Sequence, residues 1–253
     1  MPVYQPATLR GGEAAETLRS LSPDLIVVAA YGKILPEEIL LIPPLGCINV
    51  HSSLLPKYRG AAPIQWAILN GETETGVSIM YLAKELDAGD VILQKSTLIG
   101  KQEDAGALTV RLAELGAAAL LEAVEAIQNG SAKRTPQNAE QATYAPMLSR
   151  ELSAVDWTRS AHEIHCQIRG LIPWPCACIS LGDSTVKLYR AEETEEAIDA
   201  VPGTVTAAGK AGISVVCGDG KILLLTELQA QGGKRMAAGA YLLGHPVAVG
   251  TQL

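Results

Sequence analysis

Two polar side chains at the end of an apolar run, Asn49 and His51, have the types and spacing that best suit chemistry. Alternate side chains of a β-strand point to the same face, so within Cys47 to His51 these two converge on one spot. An Asn amide can donate to an oxygen that gains negative charge, and an imidazole can move a proton near neutral pH. Together they suit addition of a nucleophile to a carbonyl. The pattern alone favours a plainer interpretation, in which Asn49 caps a turn and His51 is a hydrogen-bonded polar residue.

A third polar residue changes that balance. Asp87 follows residues 77–82, which we interpret as the third strand of a largely parallel sheet, so its loop is expected at the same carboxyl edge. A carboxylate there can orient the imidazole or hold a water that carries protons. The alternative is a turn-forming Asp before Gly89. We therefore take Asn49, His51 and Asp87 as the candidate catalytic residues.

Other common catalytic patterns are absent from the sequence. It has no Gly-x-Ser-x-Gly motif, and Cys47 lies inside its strand, which argues against acyl-enzyme chemistry. No glycine-rich phosphate loop joins a strand to a helix. A group of histidines and cysteines lacks a Cys-x-x-Cys pair and is divided between a predicted helix and a predicted strand, so we expect packing roles and no metal site. This group comprises His162, His165, Cys166, Cys176 and Cys178.

Alternating helices and strands must position these residues. Helical patterns cover Glu13 to Leu21, Pro36 to Leu40, Ala62 to Asn70 and Asp104 to Gln128. Strand patterns cover Leu25 to Ala30, Cys47 to His51, Val77 to Leu82 and Val91 to Ile99. The continuous apolar run from Leu25 is typical of a strand buried on both faces, as in parallel sheets. The first part of the chain is therefore predicted to be an α/β domain with a parallel-rich sheet.

The pattern changes after residue 130. Residues 131–150 are rich in Ser, Thr, Pro, Asn and Gln, and they predict a linker between a domain at 1–130 and a second domain at 151–253. Ser160 and Glu163 have capping-box spacing, which predicts a helix that continues to Gly170. Five short apolar runs separated by turn residues then predict a small β-barrel. The runs are Cys176 to Leu181, Thr185 to Arg190, Gly203 to Ala207, Ile213 to Cys217 and Ile222 to Glu227.

Composition limits the class of protein. The chain has 253 residues, 48% hydrophobic and 19% charged, which suits one large or two modest globular domains. The formal net charge is −7, with −5 up to Leu148 and −2 after it, so neither half is a nucleic-acid binder by charge alone. Five scattered cysteines indicate reduced thiols. The sequence shows no signal peptide and no membrane span, and we expect a soluble, cytoplasmic monomer.

Two motifs resemble the 10-formyltetrahydrofolate-dependent formyltransferase family. The first is Asn49-Val-His51 with Ser53-Leu-Leu-Pro56 and Tyr58-Arg-Gly60, and the second is Leu86-Asp87-Ala-Gly89-Asp90. The second half resembles the carboxy-terminal domain of members that act on methionyl-initiator-tRNA, which glycinamide-ribonucleotide formyltransferases lack. The residues that carry this second resemblance are Asp156-Trp157, Ser160-Ala161, Arg169, Pro173-Trp-Pro175 and Lys187.

This resemblance implies a Rossmann-like domain followed by an oligonucleotide/oligosaccharide-binding-like (OB-like) barrel that helps to hold tRNA. It implies transfer of a formyl group from 10-formyltetrahydrofolate to the α-amine of methionine esterified to initiator tRNA, without a metal. Asn49 would hydrogen-bond the formyl oxygen as it becomes an oxyanion. His51 would stabilise that charge and shuttle the proton, and Asp87 would hold a water or the imidazole. One preorganised oxyanion donor contributes about 3 to 4 kcal/mol.

The resemblance also implies binding residues. Folate would lie beside Ser53, Leu54, Leu55 and Pro56, with its pterin near Ile34, Leu35 and the loop of Leu86 and Asp87. Because the part of the chain after Leu148 is net −2, any surface there that faces RNA must be a local patch. The candidates are Lys133, Arg134, Arg169, Lys187, Lys234 and Arg235, and for each of them a solvated surface charge is an equally good interpretation.

One departure from the family concerns the start of the sequence. Family members begin with a βαβ unit ahead of the segment that corresponds to Pro2 to Pro6, whereas this sequence opens at that point with Met1. We therefore expect the polypeptide to fold but to have weak or no transferase activity. Two other functions stay open: formyl transfer to an amino-sugar nucleotide, and a non-catalytic module that binds folate or RNA.

Overall fold

The computed structural model describes residues 2–182 and 184–253, which form two compact units. The first unit comprises the residues up to Pro63 together with Glu74–Leu98 and Val110–Pro146. The second comprises Ile64–Thr73, Ile99–Thr109 and Met147–Leu253. Two short stretches that precede residue 130 thus cluster with the second unit, and most of the predicted linker clusters with the first.

The chain up to residue 146 contains four helices and six strands among the described residues. In order they are α1 (Glu13–Leu21), β1 (Ile26–Ala29), α2 (Glu37–Leu40), β2 (Cys47–His51), β3 (Arg59–Gly60), α3 (Pro63–Leu69), β4 (Glu74–Tyr81), β5 (Val91–Leu98), α4 (Ala105–Gln128) and β6 (Tyr144–Ala145). A 3₁₀ turn, Ala139–Gln141, precedes β6. All of α3 except Pro63, and the first turn of α4, belong to the second unit.

Four strands of the first unit form one sheet in the order β1-β2-β4-β5. Strands β1 and β2 are parallel, whereas β4 is antiparallel to both β2 and β5. The predicted Rossmann-like α/β class is confirmed, but the share of parallel pairing is lower than predicted. For the β4–β5 pair the reason is local, because these strands are joined by a short connection, and a short connection can join only antiparallel neighbours.

Strand β1 is less buried than its apolar sequence predicts. Its side chains alternate between half-buried and exposed, and Val27 is 43% exposed. Ile26 packs against the cluster that includes Ala15 of α1 and Ile39 of α2. Among the described residues β1 pairs only with β2, so it lies at the sheet edge, and the prediction of burial on both faces is wrong.

Helix α4 covers the other face of the sheet with one apolar stripe. Ala119, Ala123 and Ile127 recur every four residues and pack against Ile48 of β2 and Ile79 of β4. Although α4 has 24 residues, neither it nor any other helix in the described ranges is long and apolar enough to cross a membrane. The helix predicted from Asp104 is thus confirmed to within one residue.

The second unit combines antiparallel strands with short helices. After a 3₁₀ turn (Arg150–Ser153) come α5 (Ala161–Gly170), β7 (Ala177–Leu181), β8 (Ser184–Ala197), β9 (Val205–Gly209), β10 (Gly212–Val216), β11 (Lys221–Ala230), β12 (Met236–Ala237) and α6 (Ala238–Leu242). The capping box of α5 is confirmed, since the Ser160 hydroxyl accepts from the Glu163 amide at 3.3 Å and the Glu163 carboxylate accepts from the Ser160 amide at 3.0 Å. Strand β12 and α6 were not predicted.

These strands form an antiparallel sheet in the order β7-β8-β11-β10-β9, with β12 on β11. The five predicted strands are all present. The sheet is open among the described residues, because its outer strands β7 and β9 are not paired with each other, so the predicted closure into a barrel is not observed. Pairing between β8 and β11 shifts register at three places, and bulges of this kind bend a sheet around its core. That core includes Ile164 and Ile168 of α5.

Candidate active site

Asn49 and His51 lie in the carboxyl half of β2, in a strand held on both sides. Asn49 is paired with Val28 of β1 and Met80 of β4, and His51 with Ser78 of β4. Asn49 is half-buried, and its side-chain amide forms no hydrogen bond with any described residue. His51 is only 5% exposed. The strand therefore presents one unpaired amide and one buried imidazole on the same side.

The two ring nitrogens of His51 have different partners. Nε2 lies 2.9 Å from the carbonyl oxygen of Tyr58, and because a carbonyl can only accept, Nε2 carries a proton and donates it. Nδ1 lies 3.7 Å from Oδ2 of Asp87. That distance permits electrostatic attraction and is too long for a direct hydrogen bond. Nδ1 is therefore the nitrogen that can exchange a proton with a reactant.

Asp87 reaches His51 by a route that the sequence did not predict. We expected its loop at the carboxyl edge of a parallel strand, but β4 is antiparallel to β2, and the loop starts next to Cys47, whose carbonyl accepts from Leu82. The loop then returns along the sheet. Asp87 adopts a left-handed conformation (φ 48°), and its Oδ2 accepts from the Gly60 amide at 2.8 Å. The predicted neighbour is correct although the reason for it was wrong.

Gln137 holds this loop in place and Arg59 holds Gln137, and the sequence analysis assigned no role to either residue. The amide nitrogen of Gln137 donates to the carbonyl oxygens of Asp87 and Gly89, both at 2.8 Å. The amide oxygen of Gln137 accepts from Nε and Nη2 of Arg59, at 3.1 and 2.8 Å. Arg59 was visible in the motif Tyr58-Arg-Gly60, whereas Gln137 lies in a segment without periodicity, and no signal in one sequence could have found it.

Residues 135–145, which we call the supporting segment, also hold the turn after β2. The Thr143 side chain accepts from the amide of Tyr58 at 2.8 Å, and the Thr143 carbonyl accepts from the amide of Arg59 at 2.8 Å. Strand β6 in this segment pairs with β3. Most of the predicted linker is therefore part of the framework around His51.

The residues predicted to lie beside folate fall into two groups. Ser53 and Leu55 are buried, and their polar atoms shape the loop: the Ser53 hydroxyl donates to the Lys57 carbonyl at 2.6 Å, and the Leu55 amide donates to Ser78 Oγ at 3.1 Å. Leu54 and Pro56 in the same loop are half-buried. The second group offers surface, since Ile34 is 81% exposed and Leu86 54% exposed. Leu35 is half-buried and packs against the cluster of Ile39.

The basic residues predicted to face RNA differ in what they contact. In the first unit Lys133 and Arg134 are exposed, and the Arg134 guanidinium lies over the Tyr81 ring at 3.8 Å. In the second unit Lys187 and Lys234 are exposed, and Arg235 forms two 2.7 Å bonds with Glu227. Arg169 is 8% exposed and donates to the Glu103 carbonyl at 3.0 Å and to Cys166 Sγ at 3.3 Å. Arg169 is therefore a structural residue, and we correct its prediction as an RNA contact.

Lys187 lies in a groove of the second unit with a volume of about 760 Å³. The groove also contains Arg150, the half-exposed Trp174 and the buried Trp157, and no Asp or Glu side chain among the described residues lines it. Neither Arg150 nor Lys187 has an ion pair with any described residue. An aromatic face beside two such cations suits a nucleotide base with its phosphates.

Cys47 is a poor nucleophile, and the described thiols and histidines form no cluster that could hold a metal ion. Burial raises the pKa of the Cys47 thiol to about 11, so it is protonated at neutral pH and is a poor nucleophile. Among the described residues no group of three or more His, Cys, Asp and Glu could hold a metal ion. His162 and His165 both donate to Oε1 of Glu193, at 3.1 and 2.9 Å.

The geometry of the site thus suits acyl-group chemistry on an external nucleophile. A free amide can donate to a developing oxyanion, a buried imidazole can exchange a proton through Nδ1, and a carboxylate faces that nitrogen. Ser53 is a poor internal nucleophile, because it is fully buried and its hydroxyl donates to the Lys57 carbonyl. This arrangement favours an attacking group that belongs to a substrate.

Comparison with known proteins agrees with this chemistry. The profile of a family described as "Formyl transferase" matches residues 2–124, and that of "Formyl transferase, C-terminal domain" matches residues 147–246. The chain belongs to the formyl transferase family. A methionyl-tRNA formyltransferase of Trichlorobacter lovleyi is 49% identical over 253 residues, which are 100% of this chain and 79% of that protein.

Solved structures share the fold at lower identity. HypX from Aquifex aeolicus, solved with tetrahydrofolic acid, has a TM-score of 0.68 at 23% identity, over 93% of this chain and 41% of that one. WlaRD, a sugar 3N-formyl transferase, has a TM-score of 0.67 at 21% identity, over 82% of this chain and 75% of that one. A fold shared at this level of identity does not identify the acceptor of this chain.

Proposed function

We propose that this chain transfers a formyl group from 10-formyltetrahydrofolate to the α-amine of methionyl-initiator-tRNA, a step of translation initiation. The observation that carries the proposal is the 49% identity to a methionyl-tRNA formyltransferase along the whole chain, including the carboxy-terminal domain. A second unit with a groove for a base and its phosphates supports a nucleic-acid acceptor.

The residues of the site have distinct roles in this reaction. When bound, 10-formyltetrahydrofolate supplies the formyl carbon that the amine attacks, and the bond from that carbon to N10 breaks. The side-chain N–H of Asn49 donates a hydrogen bond to the formyl oxygen as negative charge develops there. His51 would take up through Nδ1 the proton that the amine loses and return it to N10 of the departing folate, with Nε2 bound to Tyr58, and Asp87 would balance the charge of the imidazolium.

The described residues fit a folate cosubstrate. The Asn49 amide is free to bind an oxygen, and the exposed Ile34 and Leu86 offer apolar surface to a flat ring. Leu54 and Pro56 complete that surface in our proposal. Ser53 and Leu55 act indirectly, since they are buried and fix the shape of the loop.

RNA contacts are assigned to cations that are exposed. Lys133 and Arg134 serve in the first unit, and Lys187, Lys234 and Arg235 in the second, with Arg150 added from the groove. We expect the enzyme to act as a monomer in the cytoplasm. The unpaired state of all five cysteines agrees with a reducing compartment.

The test is a formyl-transfer assay with 10-formyltetrahydrofolate and methionyl-tRNA. His51→Ala should lower kcat by about 10² to 10⁴-fold, because it removes the proton-transfer group. His162→Ala, which changes an exposed histidine of the second unit, should not. A form extended to the full length of the relatives, of which this chain spans 79% in one case, is assayed in parallel. If neither form transfers a formyl group to methionyl-tRNA, the tRNA assignment is overturned, and an amino-sugar nucleotide is the next acceptor to test.

A further inference from the structure

Gln137 contacts two catalytically relevant parts of the first unit at once. Its side-chain nitrogen donates to the carbonyls of Asp87 and Gly89, two residues of the loop that carries the Asp87 carboxylate. Its side-chain oxygen accepts two bonds from the Arg59 guanidinium. One amide therefore joins the turn after β2 to the loop after β4.

Arg59 determines which way the Gln137 amide points. A guanidinium has only donors, so the amide oxygen must face it and the nitrogen must face the loop. Arg59 is 5% exposed, and β3, to which it belongs, is paired with β6. The donor end of Gln137 is therefore fixed toward Asp87 before any substrate binds.

The supporting segment also controls the other partner of His51. Thr143 accepts from the amide of Tyr58, and the Tyr58 carbonyl accepts from His51 Nε2 at 2.9 Å. Tyr58 has a left-handed backbone (φ 60°), a conformation that a tyrosine adopts only when its surroundings hold it. Both ring nitrogens of His51 thus face groups whose positions depend on residues 135–145.

We propose that Gln137 is a positioning residue for formyl transfer, which sets the distance and direction of Asp87 relative to His51. The inference rests on the proposed function, since it assumes that His51 and Asp87 act together on the reaction. No hydrogen bond joins Gln137 to His51 among the described residues, so Gln137 acts on His51 through its neighbours, chiefly the loop from Asp87 to Gly89.

Gln137→Glu separates the two ends of the side chain. A glutamate can keep both bonds from Arg59, but it places an acceptor oxygen against the carbonyls of Asp87 and Gly89. We expect kcat to fall by about 10 to 100-fold, because misplacing a reacting group by about 1 Å costs that much, with a KM for methionyl-tRNA within about twofold. The control is Gln141→Glu, which makes the same charge change in the exposed 3₁₀ turn of this segment.

A second measurement, ¹⁵N NMR of the His51 ring, tests the positioning role of Gln137 without an activity assay. The chain has four histidines, so the ¹⁵N resonances of the His51 ring can be assigned by their loss in His51→Gln. In Gln137→Glu the Nδ1 resonance of His51 should move while the other three histidines keep their shifts. Unchanged His51 resonances, or a lower melting temperature with full kcat, would overturn the proposal. If the parent chain fails to transfer formyl but its His51 resonances respond to Gln137→Glu, the proposed function fails and the positioning contact stands.

Discussion

At the scale of the residue, the asymmetry of His51 determines how the site can work. Nε2 is committed to the Tyr58 carbonyl at 2.9 Å, so the ring cannot rotate without losing a buried hydrogen bond. Only Nδ1 remains for proton exchange, and it points toward Asp87. In the proposed reaction the ring would therefore act from a fixed position, and we expect the amine to approach its Nδ1 side.

Asn49 offers the most direct test of oxyanion stabilisation. Asn49→Ala removes a half-buried amide that has no partner among the described residues, so it should cost little stability. It should lower kcat for formyl transfer by about 10² to 10³-fold, the usual effect of losing one oxyanion donor. Steady-state kinetics and a thermal melt of the same preparation measure both. A loss of kcat below about threefold would remove Asn49 from the catalytic residues.

Gly89 is required by close contact between two backbone segments. A Cβ atom at this position would lie 1.9 Å from the carbonyl oxygen of Tyr81, so the Asp87 loop would have to move. Gly89→Ala should therefore destabilise the protein by about 1 to 3 kcal/mol and lower kcat as well. Urea unfolding and kinetics check this.

A suitable control for that substitution is Gly209→Ala in β9. A Cβ atom there meets nothing within 4 Å and the backbone is not left-handed, so the change in unfolding free energy should stay within about 0.5 kcal/mol. Equal losses of unfolding free energy in the two variants would show that the contact with Tyr81 is not the reason for glycine at position 89.

At the scale of the element, α5 carries a histidine whose protonation opposes folding. Burial lowers the pKa of His165 below its ordinary value of 6.5, and the Arg169 charge lowers it further, against the opposing hydrogen bond to Glu193. Because the unfolded chain then binds a proton more readily than the folded one, stability is full above pH 6.5 and is lost as the pH falls below it.

Urea unfolding over a pH series tests this expectation. His165→Gln should flatten the loss of unfolding free energy between about pH 6.5 and 5, since the group that takes up the proton is gone. His162→Gln is the matched control, because His162 donates to the same Glu193 oxygen at 3.1 Å but its side chain is 58% exposed. A parent-like slope in His165→Gln would refute the assignment.

Elements with strong local signals were predictable from the sequence. The apolar period of α4 and the capping box of α5 are properties of neighbouring residues, and both are confirmed. Strand β8 was predicted to end at Arg190 but continues to Ala197, because pairing with β11 extends a glutamate-rich stretch that has low strand propensity.

The site was predictable where it follows one strand and not where it depends on distant contacts. Asn49 and His51 share a face of β2 because of strand geometry. The bond between Gln137 and Asp87 joins residues 50 positions apart, and the antiparallel pairing of β4 with β2 also joins residues that are distant in sequence. Neither leaves a local pattern. Resemblance to the family predicted the role of Asp87 without these contacts, but it predicted no role for Gln137.

At the scale of the whole molecule, a net charge of −7 has to coexist with binding of a polyanion. Exposed cations are therefore expected to act in small groups, of which the groove with Arg150 and Lys187 is one. Replacing both with Ala should weaken initiator-tRNA binding and lower the salt slope of log K by about one for each phosphate that is no longer neutralised.

Fluorescence anisotropy with labelled initiator tRNA at several salt concentrations measures that slope. The control replaces Lys210 and Lys221, which are exposed in the same unit, lie outside the groove and carry the same charge. If both double variants lower affinity and slope equally, general charge and not the groove governs RNA binding.

The supporting segment also sets a time order during synthesis. All three candidate catalytic residues have left the ribosome once Asp87 has. Thr143, which holds Tyr58 and through it His51, lies 85 residues after Tyr58 in the chain. A nascent chain that ends with α4 contains every group that would act on the substrate and lacks the bonds that aim them. The active site therefore cannot reach its final geometry until Thr143 has emerged, well after its own residues are made.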